Sequence, residues 1–392
     1  MMLALVAGLL LQSQIPSFRE EVIETQSGGP GYNSCLADIN GDGKLDLVLV
    51  TENKDQVLWY ENPAPSTPLG ASWKRRVITS GHPKLPEPLT PFDVDGDGKL
   101  EIIVGGDWTL TDTLTSGSVW LLKRPENLDQ PWTPIRIDQE PSMHRLAVIT
   151  LNGKKELVAS CLMGRVTKPP DWDGPGAPLY LLRPDGDPFK GPWKREPISS
   201  TLHRVHGVTP VDWDGSGSQG LLVAAFEGIH LYRKESAGWS AEVLSKGDPK
   251  APGSSEVKVF RLPGGRRAIA TIDPFHGDAV AVYLSPSWER RVILQDYKVG
   301  HGIVPVDFTG SGVDSLVVGF RGEKGKGGHA VVVLHPLDET GEKWEKKIVD
   351  DKDMEADGVH AADLNGDGRV DIVATGKGTN VKIYWNEGPS RK

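Results

Sequence analysis

A nine-residue word recurs three times along the chain and sets the spacing of everything around it. It reads Asp38-Ile39-Asn40-Gly41-Asp42-Gly43-Lys44-Leu45-Asp46, then Asp93-Val94-Asp95-Gly96-Asp97-Gly98-Lys99-Leu100-Glu101, and near the C-terminus Asp363-Leu364-Asn365-Gly366-Asp367-Gly368-Arg369-Val370-Asp371. Oxygen-bearing side chains at positions 1, 3, 5 and 9, with glycines where the loop must turn sharply, suit a hard cation that takes six or more oxygen ligands. Calcium is the expected ion, at about three sites. An EF-hand loop requires a bidentate Glu at position 12, and Leu49, Val104 and Ala374 stand there instead. Each word is followed by an apolar run such as Leu47-Val48-Leu49-Val50 or Ile372-Val373-Ala374, so it occupies a turn that leads into a strand.

A second word shows how many such units there are. It is an aromatic residue followed, after a few mostly polar positions, by Val or Ile: Phe18 to Val22, Trp73 to Val77, Trp132 to Ile135, Trp193 to Ile198, Trp239 to Val243, Trp288 to Val292 and Trp344 to Ile348. Successive copies lie 46 to 61 residues apart, with three short strand-like runs between them. That pattern predicts an all-β chain, a seven-bladed β-propeller of four-stranded antiparallel blades. The last unit has three strands after residue 355, whereas Phe18 to Ile23 is a fourth strand with no three before it. The N-terminal strand is therefore expected to close the last blade, leaving no open sheet edge. Residues 15–392 then form a single propeller.

Composition excludes several alternatives. The net charge of −9 and scattered Lys and Arg argue against a nucleic-acid surface. Met2 to Leu11 is apolar, too short to span a bilayer, and gives way to polar residues, so residues 1–14 read as a signal peptide. No other stretch could form a transmembrane span, and the expected location is secreted or periplasmic. The two cysteines, Cys35 and Cys161, fall in different repeats and are expected to stay unpaired.

With three words in phase, the repeats resemble the FG-GAP, or VCBS-repeat, propellers related to the integrin α-subunit head. The resemblance implies calcium ligands at Asp38, Asn40, Asp42 and Asp46, at Asp93, Asp95, Asp97 and Glu101, and at Asp363, Asn365, Asp367 and Asp371. It adds the backbone carbonyls of Lys44, Lys99 and Arg369. Blades four and six keep degraded copies, from Asp212 and Asp307, that are short of carboxylates, and blades three and five keep only the turn. The Phe-Gly and Gly-Ala-Pro signatures are absent, so the integrin partner interface does not carry over.

In a propeller whose strands run A to D from the channel outward, the calcium words are A-to-B loops, and the opposite face is free for function. Of ten histidines, His82, His144, His203, His206, His276, His301, His329 and His360 map to that opposite side. His206 and His301 begin two matching segments, His206-Gly207-Val208-Thr209-Pro210-Val211-Asp212 and His301-Gly302-Ile303-Val304-Pro305-Val306-Asp307, and Asp357 takes the same place in blade seven. Converging on the channel, His206, His301 and Asp357 could hold Zn²⁺ or a similar ion. They equally suit a structural role, satisfying backbone groups at strand starts. His144-Arg145, His203-Arg204 and His360 are further candidates. Trp108 and Trp172, in long B-to-C loops, could stack on a sugar ring or anchor their loops, and the segment from Met163 to Pro178 could overhang the channel as a lid.

Two functions fit. The first is a secreted, calcium-binding propeller that holds a carbohydrate or protein ligand at the channel mouth. The alternative is a metal-assisted sugar lyase or dehydratase that uses the His, Arg and Asp set for β-elimination. The histidine-rich mouth resembles propeller-based polysaccharide lyases and aldos-2-ulose dehydratase. Serine-hydrolase, kinase and dinucleotide-binding motifs are absent.

Overall fold

The computed structural model describes residues 13–24, 31–51, 54–63, 72–107, 109, 111–169, 172–323, 326–376 and 381–389. They form seven four-stranded antiparallel sheets. Six sheets use four consecutive strands, as in blade one with Gly31–Ala37, Asp46–Thr51, Gln56–Glu61 and Lys74–Ser80. The seventh joins Ala356–Ala362, Asp371–Gly376 and Val381–Pro389 to the N-terminal strand Pro16–Glu24. Among the described residues no helix is long and apolar enough to cross a membrane. The signal-peptide segment lies almost wholly outside the described residues, as does Trp108.

Strand B of each blade is covered on both faces by neighbouring blades, which is why it reads as a continuous apolar run rather than an alternating one. Asp46–Thr51, Glu101–Gly106, Gly220–Ala225 and Asp371–Gly376 are buried throughout. The outermost strands alternate, and Val22, Val77, Val243, Val292 and Ile348, which end the aromatic words, are exposed on the rim.

Each nine-residue word begins just after strand A and ends on the first residue of strand B. The position-1 carboxylate folds the turn: in blade one Asp38 accepts hydrogen bonds from the Gly41 amide at 2.7 Å and the Gly43 amide at 2.9 Å. Gly41 and Gly43 have φ of +80° and +85°, a left-handed backbone that a side chain would strain. The degraded words keep this turn, with Asp212 accepting from Gly215 and Gly217, and Asp307 from Gly312.

Ring closure is both a strand pairing and a charge network. Phe18 to Val22 pair antiparallel with Asn386 to Lys382, with Glu20 opposite Tyr384. Lys382, 1% exposed, reaches Asp350 at 2.7 Å on the last strand of blade six, Asp353 at 2.5 Å, and Glu20 of the N-terminal strand at 3.0 Å. The Tyr384 hydroxyl donates to the same Asp350 at 2.8 Å. Burial alone would raise the Asp350 carboxyl, but Lys382 and Tyr384 hold it below its ordinary value. Replacing Lys382→Met removes the cation from three carboxylates, one of them fully buried. We expect a loss of about 3–5 kcal/mol in chemical denaturation; a change within about 0.5 kcal/mol would show that the network does not hold the ring.

Candidate functional site

Strand A begins at the face opposite the metal words, and this is where four imidazoles meet. His144 and His301 lie in the first strands Met143–Leu151 and Gly300–Val306, and His206 immediately precedes Gly207–Val211. His276 comes from the B-to-C loop of blade five, after Arg267–Asp273. His206 is at the centre: its ring centroid is 4.6 Å from that of His144, 4.6 Å from that of His276 and 5.5 Å from that of His301. Phe275 stacks on His276 at 4.3 Å and meets His206 edge-on at 5.0 Å, excluding water from one side. One nitrogen from each of His206, His276 and His301 lies within 4.8 Å of the other two.

Two arginine–carboxylate pairs flank this group. Arg145 bonds Glu256 at 2.8 Å and also approaches His206 Nδ1 at 3.1 Å. Arg321 bonds Asp357 at 3.1 Å and approaches His276 Nδ1 at 3.3 Å. Burial, followed by the nearby Arg145, pushes His206 well below its ordinary value, and burial with Arg321 does the same to His301. Both rings are therefore neutral at pH 7, the form that ligates a metal. Glu256 is largely buried, which would raise its carboxyl, yet Arg145 and Lys258 keep it low. Behind the cluster, His144 Nδ1 is 2.7 Å from Glu87, with both side chains buried.

His301 Nδ1 donates to the Asp357 carbonyl at 2.7 Å, which leaves the Nε2 lone pair as its ligating atom. His206 Nε2 and His276 Nε2 are 2.7 Å apart, a hydrogen-bond distance. Two nitrogens on a tetrahedral zinc stand roughly 3.3 Å apart, so an ion needs only a small opening of this pair. The two guanidinium charges nearby would oppose a cation but are each matched by a carboxylate. The donor set fits a divalent transition metal of the zinc type.

The candidates chosen from the sequence divide. His144, Arg145, His206 and His301 come together, whereas Asp357 contributes its carbonyl to His301 and its carboxylate to Arg321. His203 bonds Glu227 at 2.6 Å and the Gly174 carbonyl at 3.0 Å, tying blade four to the blade-three loop. Those two acceptors raise its pKa. The Arg204 guanidinium lies 4.1 Å over the Phe226 ring. Trp172 is half-buried with its amide bonded to the Lys168 carbonyl. His360 lies deeper in the channel, its Nε2 2.8 Å from Ser34 Oγ.

A cavity of about 260 Å³ occupies the channel, lined among others by Ser34, Arg145, Glu256, Lys258, His301 and His360. His276, Glu256, Arg321 and Glu87 escape a site reading of the sequence. The first was visible as a B-to-C loop histidine, and the others carry no motif.

At the opposite face, Asp93, Asp95 and Glu101 bring three carboxylates within reach of one cation. Asp46 and Asp371, at position 9, each accept two backbone amides, from Ile39 and Asn62 and from Leu364 and Asn386. Burial pushes both carboxyls up to about 6, and burial pushes Glu101 up to about 7. Lys44 and Arg369 each pair with the position-5 Asp of their own word.

Comparison with known proteins agrees with this architecture. Residues 38–111 match the FG-GAP-like repeat family, and residues 116–286 match the family described as aldos-2-ulose dehydratase, beta-propeller domain. The chain is a β-propeller with FG-GAP-like repeats. It is 26% identical over 235 residues to an aldos-2-ulose dehydratase of Phanerodontia chrysosporium, covering 53% of this chain and 26% of that protein. It thus spans about a quarter of that relative's length. Among solved structures, BBS1N in complex with ARL6DN superposes with a TM-score of 0.57 at 13% identity, covering 95% of this chain and 98% of that one. An Agrocybe aegerita lectin that recognises non-reducing terminal N-acetylglucosamine superposes at 0.50 with 15% identity, covering 84% and 81%. At these identities the structures share the fold alone.

Burial, then the charge of Lys258, pushes His360 down to about 4. The unfolded chain takes this proton first, so the stabilising contribution is complete above the ordinary value near 6.5 and is lost as pH falls from there through about 4. A His360→Gln variant can keep a polar contact to Ser34 but does not titrate. Its melting temperature should fall less than that of the parent between pH 6.5 and 4; parallel curves would rule out His360 as a source of acid sensitivity.

Proposed function

We propose that the chain catalyses metal-assisted β-elimination from a sugar, as a dehydratase or lyase, at the histidine cluster of the channel. The observation that carries this reading is the convergence of His206, His276 and His301, neutral and backed by polar partners, beside a channel cavity. The partial match to aldos-2-ulose dehydratase supports it over pure ligand binding.

A divalent ion held by the three imidazoles would supply a Lewis acid for a substrate carbonyl. The chain's own groups do the rest. Arg145 and Arg321, fixed by Glu256 and Asp357, present donors toward charge that develops on oxygen. The imidazole of His360, which faces the cavity and is not one of the three ligands, takes the proton from the carbon beside the carbonyl. The electrons of that C–H bond become the new C=C bond as the β C–O bond breaks, and the departing hydroxide takes the proton back from the imidazolium to leave as water, which restores the neutral base. Phe275 keeps bulk water from one side of the cluster.

His206→Ala and His301→Ala should each lower bound zinc and reduce formation of the unsaturated product by at least about 100-fold, with the melting temperature little changed. His360→Gln should retain the metal and lose turnover if it is the base. Full activity in the metal-free double variant would overturn the proposal.

We further propose that the words in blades one, two and seven bind calcium, through the side chains and carbonyls named above, and stiffen the face opposite the site. Support comes from the carboxylates these words crowd together, several of them pushed upward by burial. A calcium-selective chelator should lower the melting temperature at neutral pH and added calcium should restore it. An unchanged melt in excess chelator would refute occupied sites.

A further inference from the structure

The channel cavity draws its lining from all seven blades, with two cations, Arg145 and Lys258, and two carboxylates, Glu256 and Asp357, among them. Each carboxylate is already matched: Glu256 with Arg145 at 2.8 Å and Asp357 with Arg321 at 3.1 Å. Lys258 remains. It stands two positions beyond Glu256 on the innermost strand of blade five, so both side chains face the channel and Lys258 lies one pleat deeper. Its ammonium is 3.0 Å from the Thr209 hydroxyl, a neutral partner. The nearest carboxylate in the cavity, Glu256, is 3.7 Å away and committed to Arg145. Across the channel stand the neutral imidazole of His360 and the hydroxyl of Ser34. Lys258 thus shares Glu256 with Arg145, two cations on one carboxylate.

We propose that the sugar bound in this cavity carries a carboxylate, and that Lys258 is the residue that binds it. This rests on the reading of the cavity as a sugar site and narrows the substrate to an acidic sugar. A neutral ring filling about 260 Å³ would strip water from the Lys258 ammonium without replacing it, a cost that buried charges incur unless paired. A carboxylate offsets that cost through a charge-assisted hydrogen bond. Thr209 anchors the ammonium at 3.0 Å, and Ser34 and His360 add a hydroxyl and an imidazole to the wall of the same cavity. The cavity lies just below the range of roughly 300–1,000 Å³ typical of drug-sized ligands, which suits a single ring.

The test is calorimetric binding to the full chain with matched pairs, glucuronate against glucose and 2-ketogluconate against fructose. The acids should bind at least about tenfold tighter than their neutral partners, and the preference should weaken with salt. Lys258→Met should abolish the preference by weakening acid binding while neutral sugars bind no more weakly than to the parent, without lowering the melting temperature, and Lys258→Arg should restore the preference. Equal affinity for acid and neutral members, or an equal loss for both in Lys258→Met, would overturn the proposal. Turnover separates this outcome from failure of the elimination reading. Unsaturated product from neutral keto sugars with no acid preference removes the role of Lys258 and keeps the reaction. Lys258-dependent acid binding with no product from any sugar keeps Lys258 and removes the reaction.

Discussion

The site depends on ring closure. A propeller places strand A of every blade against one axis only if the first and last blades are joined, since an open ring leaves two rows of unpaired backbone donors and acceptors. Here the N-terminal strand supplies the fourth strand of the seventh sheet, and Lys382 gathers Glu20, Asp350 and Asp353 around the junction. The same junction fixes blade seven, from which Asp357 and His360 enter the channel. Closure and site geometry are therefore mechanically linked: Asp350 ends blade six, whose first strand carries His301.

The fold was legible because its information is local and repeated. The aromatic words gave the number of blades, the nine-residue words gave the A-to-B turns, and the unmatched strand at Phe18 gave the closure. Histidines at the start of strand A were legible for the same reason, as His206 and His301 occupy matching places in two repeats. A repeat specifies blade and strand but not which side chains from different blades face one another. His276 enters from a B-to-C loop, Arg321 from the end of a strand B, and Glu256 from just before a strand A. Their meeting follows from ring curvature, which no periodicity in the sequence encodes. For Asp357 the place was right and the chemistry differed: its carbonyl serves His301 while its carboxylate is taken by Arg321.

The two faces handle charge differently by the same construction. A-to-B turns need a carboxylate at position 1 to capture successive amides, so that face collects acid even where the full word has decayed, as at Asp212 and Asp307. Strand A starts face the narrow channel, where low solvent access makes any unpaired charge costly. The channel's response is pairing, Arg145 with Glu256 and Arg321 with Asp357, which leaves its imidazoles neutral and its guanidiniums fixed in place.

That pairing explains how one set of arginines can serve two ends. An arginine held by a carboxylate loses little freedom when it also donates to a ligand, because its planar fork is already ordered. Arg145 and Arg321 each reach an imidazole of the cluster from such a fixed position. Lys258, held by the Thr209 hydroxyl and by a longer contact to Glu256 at 3.7 Å, is less tightly fixed than the two arginines. The channel thus separates a rigid end, at the histidines, from an adaptable end one pleat deeper. Geometry matters most at the first, where bonds would change, and net charge at the second, where a substrate would be recognised.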